Sequence, residues 1–485
     1  MSASQTVRRS ARWLVGTNLA IQVGQFLIGI ILARLLVPAD FGMMVTIQIF
    51  TGLVGLVASG GMGQALVWAK DVNERDFNVA FTVQMLIGVV IFVSFYVISP
   101  SFAEWFGDPV YAPLLKISAV TFLIRPLANQ HVIWLQREMR FKETAIRNLI
   151  CTVVSGALSI AMAARGFGVW SLTWGGIVGS LVGYFLVCRL TPMRARLDYS
   201  QSIVARFGSY GFRMVMNEVI SHVRAQTANL IITKFASSAA VGVFNKADSL
   251  SKMPFSVLSA PVYQPVFRAM SKVQDEPDKI KYLFFRMVSL LLLYTLPLYI
   301  GMWWLAKPFI VVVYGEHWVD TAGVLEIIAP LGFLYCLGHP SGAVLAATNR
   351  LGREMVVHSL TWVFVAVGVY VGLDRGIEGA AWGVVASQIY SNLHMYWLAT
   401  RCFDTRIKDV VGTFGPTLAL NAILLLTLFA VHLALPPGYA ERAPQIYLAA
   451  SIIVGGIVYA AAFLFLPLRP LADEALRWRR LLRMA

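Results

Sequence analysis

Ionisable side chains inside long apolar runs are costly to keep, so those that persist mark places where an ion, a polar ligand or a partner is handled. Six cations of this chain stand in such runs, Lys116, Arg125, Arg213, Arg224, Lys246 and Lys252, against three acids, Glu218, Asp248 and Glu326. The interior they define is net cationic and suits an anionic ligand, and arginine in particular can hold two phosphate oxygens with its planar fork. Asn18, Gln22, Gln25 and Gly29 recur at helical spacing and form one polar stripe. Two hundred residues further on stand Glu218, His222, Ala225 and Asn229. Glu218 and His222, one turn apart, are the pair with the chemistry to exchange a proton or a cation. Arg213, Asn217 and Arg224 occupy a neighbouring face of the same helix, and together these groups make a polar side too wide for lipid; a cavity between two helical bundles is the expected place for it. Asn18 and Gln22 fit hydrogen-bonded helix contacts equally well.

Asp248 and Lys252, four residues apart, can neutralise one another, which leaves Lys246 as the uncompensated charge. Arg125 precedes Pro126, which weakens the helix locally and can aim the guanidinium inward; the alternative is that it snorkels to the interface. His339 and His358 stand alone and fit packing roles. No catalytic motif, metal-ligand spacing, cofactor motif or Walker sequence accompanies these residues, and Cys151, Cys188, Cys336 and Cys402 are too scattered for a CxxC or a metal set.

The elements that must position these groups follow from composition. Of 485 residues, 58% are apolar and 13% charged, more apolar than a water-facing surface tolerates. The charges cluster between apolar runs of about 20 residues, the length a helix needs to cross roughly 30 Å of hydrocarbon. Unpaired backbone groups are untenable there, so the spans are expected to be helical. They fall at 13–36, 41–67, 77–99, 110–134, 144–164, 167–188, 208–234, 239–265, 283–305, 322–347, 354–373, 378–400, 411–435 and 445–467. Alternate connections collect 28 of the 40 Lys and Arg residues, and the opposite side holds six: Arg34, Arg165, Lys234, Lys307, Arg375 and Arg442. That asymmetry places both termini on the cytoplasmic side of the membrane, and it accounts for the net charge of +15 without nucleic acid. Arg8, Arg9 and Arg12 precede an apolar run, Trp13 to Leu36, that is too long for a signal peptide and lacks its cleavage site; it is expected to remain as the first helix. The tail from Leu468 puts Leu471, Ala475, Trp478 and Leu482 on one face with arginines elsewhere, as expected of a helix lying on an anionic leaflet or of a plain basic tail.

An offset of 200 residues aligns Arg34 with Lys234, Ala39 with Ala239, Gly42 with Gly242, Val57 with Val257, Ser59 with Ser259 and Gln64 with Gln264. A basic residue, a tight turn and a polar end recur in register, the mark of an internal repeat. Six helices per repeat bring both halves in from the same side as parallel repeats. The expected architecture is an all-α polytopic membrane protein of about 14 transmembrane helices. Two parallel six-helix bundles (1–200 and 201–405) precede a C-terminal helical hairpin, helices 13 and 14, with a basic tail (406–485).

Four short segments carry a family likeness: Leu35-Leu36-Val37-Pro38-Ala39-Asp40-Phe41-Gly42, Arg137-Glu138-Met139-Arg140-Phe141-Lys142, Gly166-Phe167-Gly168-Val169-Trp170-Ser171-Leu172 and Tyr314-Gly315-Glu316-His317-Trp318. In this order they resemble the Wzx-type polysaccharide flippases of the multidrug/oligosaccharidyl-lipid/polysaccharide exporter superfamily, in the exopolysaccharide branch. The likeness runs from the first helix to about residue 400. It implies a V-shaped pair of six-helix bundles that flips an undecaprenyl-diphosphate-linked oligosaccharide from the cytoplasmic to the periplasmic leaflet, without enzymatic chemistry. It also implies membrane lipids, a polysaccharide polymerase and export machinery as partners. The family has no catalytic motif to carry over, and the four segments are expected to be turns and caps. The cargo-binding candidates therefore remain Arg213, Arg224, Lys246, Arg125, Asn18, Gln22 and Gln25, and the ion-coupling candidates Glu218, His222 and Asp248. A multidrug or cation antiporter of the same superfamily would want a carboxylate-rich cavity. A membrane-embedded glycan polymerase or ligase would want a larger loop than those bearing Asp40, Glu104, Asp108, Glu316 and Asp320.

Overall fold

A computed structural model describes residues 20–482 apart from 60, 467, 469 and 470, and among these the secondary structure is helical throughout. The chain divides into two compact units, one ending at Gly242 and the other starting at Val243.

The first unit begins with α1 (Ala20–Leu35) and α2 (Pro38–Ala58), and α2 is continued after a break by α3 (Met62–Trp68). Pro38 opens α2, where a missing N–H costs nothing, and the Asp40 carboxylate accepts from the Val37 N–H at 3.3 Å. Next come α4 (Glu74–Phe106), α5 (Tyr111–Ala119), α6 (Thr121–Arg137), α7 (Phe141–Ala163), α8 (Val169–Leu190) and α9 (Gln201–Phe235). Asn73 caps α4 reciprocally: its side chain accepts from the Asp76 N–H at 3.0 Å and its own N–H donates to Asp76 at 2.9 Å. Helices α7 and α8 form a tight pair because Gly175, Gly179 and Gly183 lie at four-residue intervals on α8. A methyl group on any of them would run into Ser155, Ser159, Cys151 or Arg147 of α7. In lipid, such small-residue stripes replace the hydrophobic effect as the means of bringing helices together.

The first turn of α10 (Ser238–Lys272) also belongs to this unit. Gly42 and Gly242, paired by the 200-residue offset, touch one another there. A Cβ on Gly42 would collide with the Ser238 carbonyl, and one on Gly242 would collide with the Pro38 carbonyl. Each residue meets the partner's counterpart, as expected of repeat-related segments packed about a two-fold relation. Valine at either position has no room.

In the second unit α10 continues, followed by α11 (Pro277–Trp304), α12 (Ala306–Tyr314), α13 (Asp320–Ile328), α14 (Leu331–Ala347), α15 (Leu351–Gly372), α16 (Gly376–Thr400), α17 (Ile407–Ala434), α18 (Tyr439–Arg442), α19 (Pro444–Phe465) and α20 (Ala472–Leu481). Its main core packs Phe284, Met287, Val288, Leu291 and Leu292 of α11 against Cys336 and Val344 of α14, with Phe403 and Phe414. The connection expected around 307–321 is largely helical, formed by α12 and a short 3-10 turn, Glu316–Trp318. Helix α20 is seated on this unit rather than only facing outward, since Leu471, Glu474 and Ala475 are buried.

Nine helical stretches among the described residues are apolar and long enough to cross a membrane, or ten if α13 and α14, bent by 43°, count as one span. One of these stretches, Leu351–Thr400, is the antiparallel pair α15 and α16, and α1 is described only from Ala20. Helices α9 and α10, each 35 residues, are long enough but carry the intramembrane charges that lower their hydropathy. Counting these gives the fourteen spans expected.

Candidate functional site

In the first unit one side of α9 packs on α2 and α3. His222 is on that side: its Nε2 lies 3.1 Å from the Ile49 carbonyl, and the imidazole fills the space left by Gly52. A carbonyl only accepts, so Nε2 is the nitrogen that carries the hydrogen in this contact. Glu218, one turn earlier, is half-buried, and Arg224 is exposed with no ion pair among the described residues. The two ion-coupling candidates and the arginine therefore divide between two sides of one helix. Arg213 lies in α9, but its side chain is outside the described residues, as is Asn18 altogether. Gln22 and Gln25 are described, and both are exposed on α1.

Arg125 goes elsewhere. It lines a cavity of about 390 Å³ in the first unit, walled by Gly55 of α2, Ser59 just beyond its end, Gln84 of α4, Asn129 of α6, Arg147 of α7 and Ser180 of α8. The absence of a side chain at Gly55 makes room for the guanidinium, since a Cβ there would come within 2.6 Å of Arg125 Nη1. The neutral polar groups around it are largely satisfied. Asn129 Nδ2 donates to Gln84 Oε1 at 2.9 Å, Gln84 Nε2 to the Ser59 carbonyl at 3.0 Å, and Ser180 to the Gly176 carbonyl at 2.8 Å.

The second unit treats its cations differently. Lys246 on α10 lies over the rings of Tyr314 and Trp318, 4.7 and 5.2 Å from their centres, a cation–π arrangement. Asp248 and Lys252 form the expected i,i+4 ion pair at 2.7 Å, so this carboxylate is already engaged. His339 is packed between the Phe255 and Tyr263 rings, and His358 faces Glu354 at 3.5 Å. The partners of Lys246 lie about 70 residues away in sequence, and only the aromatic character of the Tyr314-to-Trp318 segment hinted at them.

The four family-like segments prove to be turns, caps and packing posts. Asp40 Oδ1 accepts from the Val169 N–H at 3.0 Å, so the carboxylate of the first segment caps the helix that the third begins. Arg137 donates to the Leu66 carbonyl, and to those of Ala69 and Lys70 at 2.7 and 3.3 Å, closing the end of α3. Arg140 reaches the Leu190 carbonyl at the end of α8 at 3.1 Å and pairs with Glu143 at 2.9 Å. Trp318 of the fourth segment is fully buried.

Helical and multi-pass among its described residues, with basic side chains at a polar cavity and on an exposed helix side within its spans, the chain is a polytopic membrane protein. The chain belongs to the family of polysaccharide biosynthesis proteins, which matches residues 31–323, more than half of its length. It is 22% identical to the lipopolysaccharide biosynthesis protein WzxC of Escherichia coli (strain K12), covering 85% of this chain and 83% of the relative. It is 23% identical to the succinoglycan biosynthesis transport protein ExoT of Rhizobium meliloti (strain 1021), over 99% and 96% of the two chains. Among solved structures, the lipid II flippase MurJ in an inward closed conformation shares the fold with a TM-score of 0.73, at 16% identity and over 97% of this chain and 100% of that one.

Proposed function

We propose that the protein is a flippase that moves an undecaprenyl-diphosphate-linked oligosaccharide from the cytoplasmic to the periplasmic leaflet of a bacterial inner membrane, by alternating access. Membership of the polysaccharide biosynthesis family carries this reading, and a fold shared end to end with a lipid II flippase supports it. The basic connections face the cytoplasm, which puts both termini there. The cargo requires a diphosphate to leave water while its prenyl tail stays in lipid. Arg224 and Arg213 on α9 offset the lost hydration of the diphosphate, with Gln22 and Gln25 of α1 and Asn18 contacting sugar hydroxyls. Glu218 and His222 supply the coupling to a proton or cation. The flipped product passes to a polysaccharide polymerase and export machinery.

Deleting the gene tests this. The expected result is loss of a surface polysaccharide with its lipid-diphosphate precursor stranded in the inner leaflet, and Arg224→Ala restores folded protein but lowers polymer output about tenfold or more, the worth of one charge-assisted contact. Normal polysaccharide with altered resistance to cationic dyes would instead make the protein a drug antiporter.

A further inference from the structure

Within the first unit two arginines, Arg125 and Arg147, line one cavity of about 390 Å³, and among the described residues no carboxylate lines it with them. Arg147 is partly engaged: Nε donates to the Gly183 carbonyl at 3.2 Å and Nη1 to Asn148 Oδ1 at 3.1 Å. Arg125 has neither a hydrogen bond nor an ion pair among the described residues, and its walls include Phe122, Ile124 and Val132. Charges within the spans of a membrane protein are held by partners or face water or a ligand, and Arg125, which is exposed, opens onto this cavity without a partner. The amides that share the cavity do not serve Arg125, because Gln84, Asn129 and the Ser59 carbonyl are joined to one another.

We propose that this cavity is a binding site for a phosphate-type oxyanion, with Arg125 as the principal charge and Arg147 as the second. A planar fork with open donors matches two oxygens of such an anion better than it matches scattered waters. The space accommodates on the order of ten waters, at about 30 Å³ each, or one diphosphate with some of its hydration. The anion is either the diphosphate of a lipid-linked cargo or a free inorganic anion that serves the protein as a fixed counter-ion. The site's residues are distinct from the α9 arginines to which the cargo reading assigns the main contact, and it can fail without that reading failing.

The test uses the full-length protein in nanodiscs and three probes: inorganic pyrophosphate, a short-chain prenyl diphosphate and the corresponding prenyl alcohol. Isothermal titration is expected to show both diphosphates binding wild type, with affinity reduced at least tenfold in Arg125→Gln and partly retained in Arg125→Lys, while the prenyl alcohol shows no dependence on residue 125. The Gln variant is expected to melt no more than a few degrees from wild type, so that loss of binding is not loss of fold. Prenyl diphosphate much tighter than pyrophosphate identifies the anion as part of a lipid-linked cargo, and equal affinities identify a free anion. Pyrophosphate binding that is absent from wild type, or the same in Arg125→Gln, overturns the proposal and leaves a hydrated cavity. Arg224→Ala run in parallel separates the two sites, since it is expected to lower polymer output while leaving residue-125-dependent pyrophosphate binding intact.

Discussion

Among the described residues, cations meet carboxylates more often in the second unit than in the first, although both units also hold lysines over aromatic rings, as Lys116 over Tyr96 and Lys234 over Trp105 do in the first. In the second, Lys252 pairs with Asp248 at 2.7 Å, Lys281 with Asp409 at 2.6 Å, Arg286 with Glu474 at 3.5 Å and Lys307 with Glu441 at 2.9 Å, and Lys246 lies over two aromatic rings. In the first, the carboxylate pairs Arg75–Asp198 and Arg140–Glu143 sit at helix ends and connections. Arg125, Arg147 and Arg224, which stand within its spans, have no carboxylate partner among the described residues. A paired cation is a structural part, whose loss is felt as stability. An unpaired one retains its charge for a ligand, whose loss is felt as binding. Under the proposed function, the difference gives anion handling to the open arginines of the first unit and a mainly architectural role to the paired basic residues of the second.

That division is broken most directly at Trp318. Its side chain is fully buried and forms half of the aromatic cover over Lys246. Trp318→Ala both opens a cavity and strips the ammonium of a ring, and is expected to cost about 3–5 kcal/mol. The readout is the thermal unfolding midpoint of the purified protein, or failure to accumulate folded protein at all. Lys246→Met in the same background is expected to recover part of the loss, because it removes the charge that had been left without its ring. No recovery would mean that the lysine and the rings are neighbours without energetic coupling.

A somewhat smaller effect is expected at Glu474. With its side chain 8% exposed, it accepts from Tyr294 at 2.8 Å and faces Arg286 and Arg477 at 3.5 and 3.4 Å, while Trp478 donates to the same tyrosine at 2.8 Å. Glu474→Gln keeps the shape and removes the charge, leaving Arg286 without its carboxylate, at an expected cost of about 2 kcal/mol. Loss of protection of α20 against trypsin, together with a lowered unfolding midpoint, would show it. An unchanged digestion pattern would mean that α20 is held by its apolar residues alone.

How much of this was legible in the sequence depended on whether the decisive contact was local. The spans were, because apolar runs and basic connections are properties of contiguous residues, and even the charged α9 and α10 could be placed by length and by the alternation of loop charge. The Asp248–Lys252 pair was legible for the same reason, being one helical turn apart. The surroundings of Arg125 were not: spacing along α6 does not say which residues of α2, α4 and α7 a side chain will meet. Lys246 looked uncompensated because rings some 70 residues on are invisible to a helical wheel. The tail showed an apolar stripe and several arginines, and so suggested a membrane surface. The buried carboxylate of Glu474, which ties it to Arg286 and Tyr294, looked like one more surface charge. The 200-residue offset was faint in identity, yet it paired Gly42 with Gly242, two residues that lie against each other.

The smallest effect should come from Lys307–Glu441, the one pair of the second unit named above in which both groups are exposed. Glu441 lies outside the spans, in α18, and its carboxyl is held below the usual carboxylate range first by the hydrogen bond from Lys307 and then by that cation's charge. A depressed folded value means that the pair stabilises the protein above the ordinary carboxylate value of about 4.3 and loses that contribution as the pH falls through the folded value. Glu441→Gln is therefore expected to lower the unfolding midpoint slightly at neutral pH, with the difference from wild type shrinking toward zero in acid. Solvent also screens this pair, so 1 M salt should abolish the difference at neutral pH as well. The Glu474→Gln effect should survive the same salt, because its carboxylate is buried. If salt erased both effects alike, the pairing in the second unit would be a property of its surface, and its contrast with the open arginines of the first would disappear.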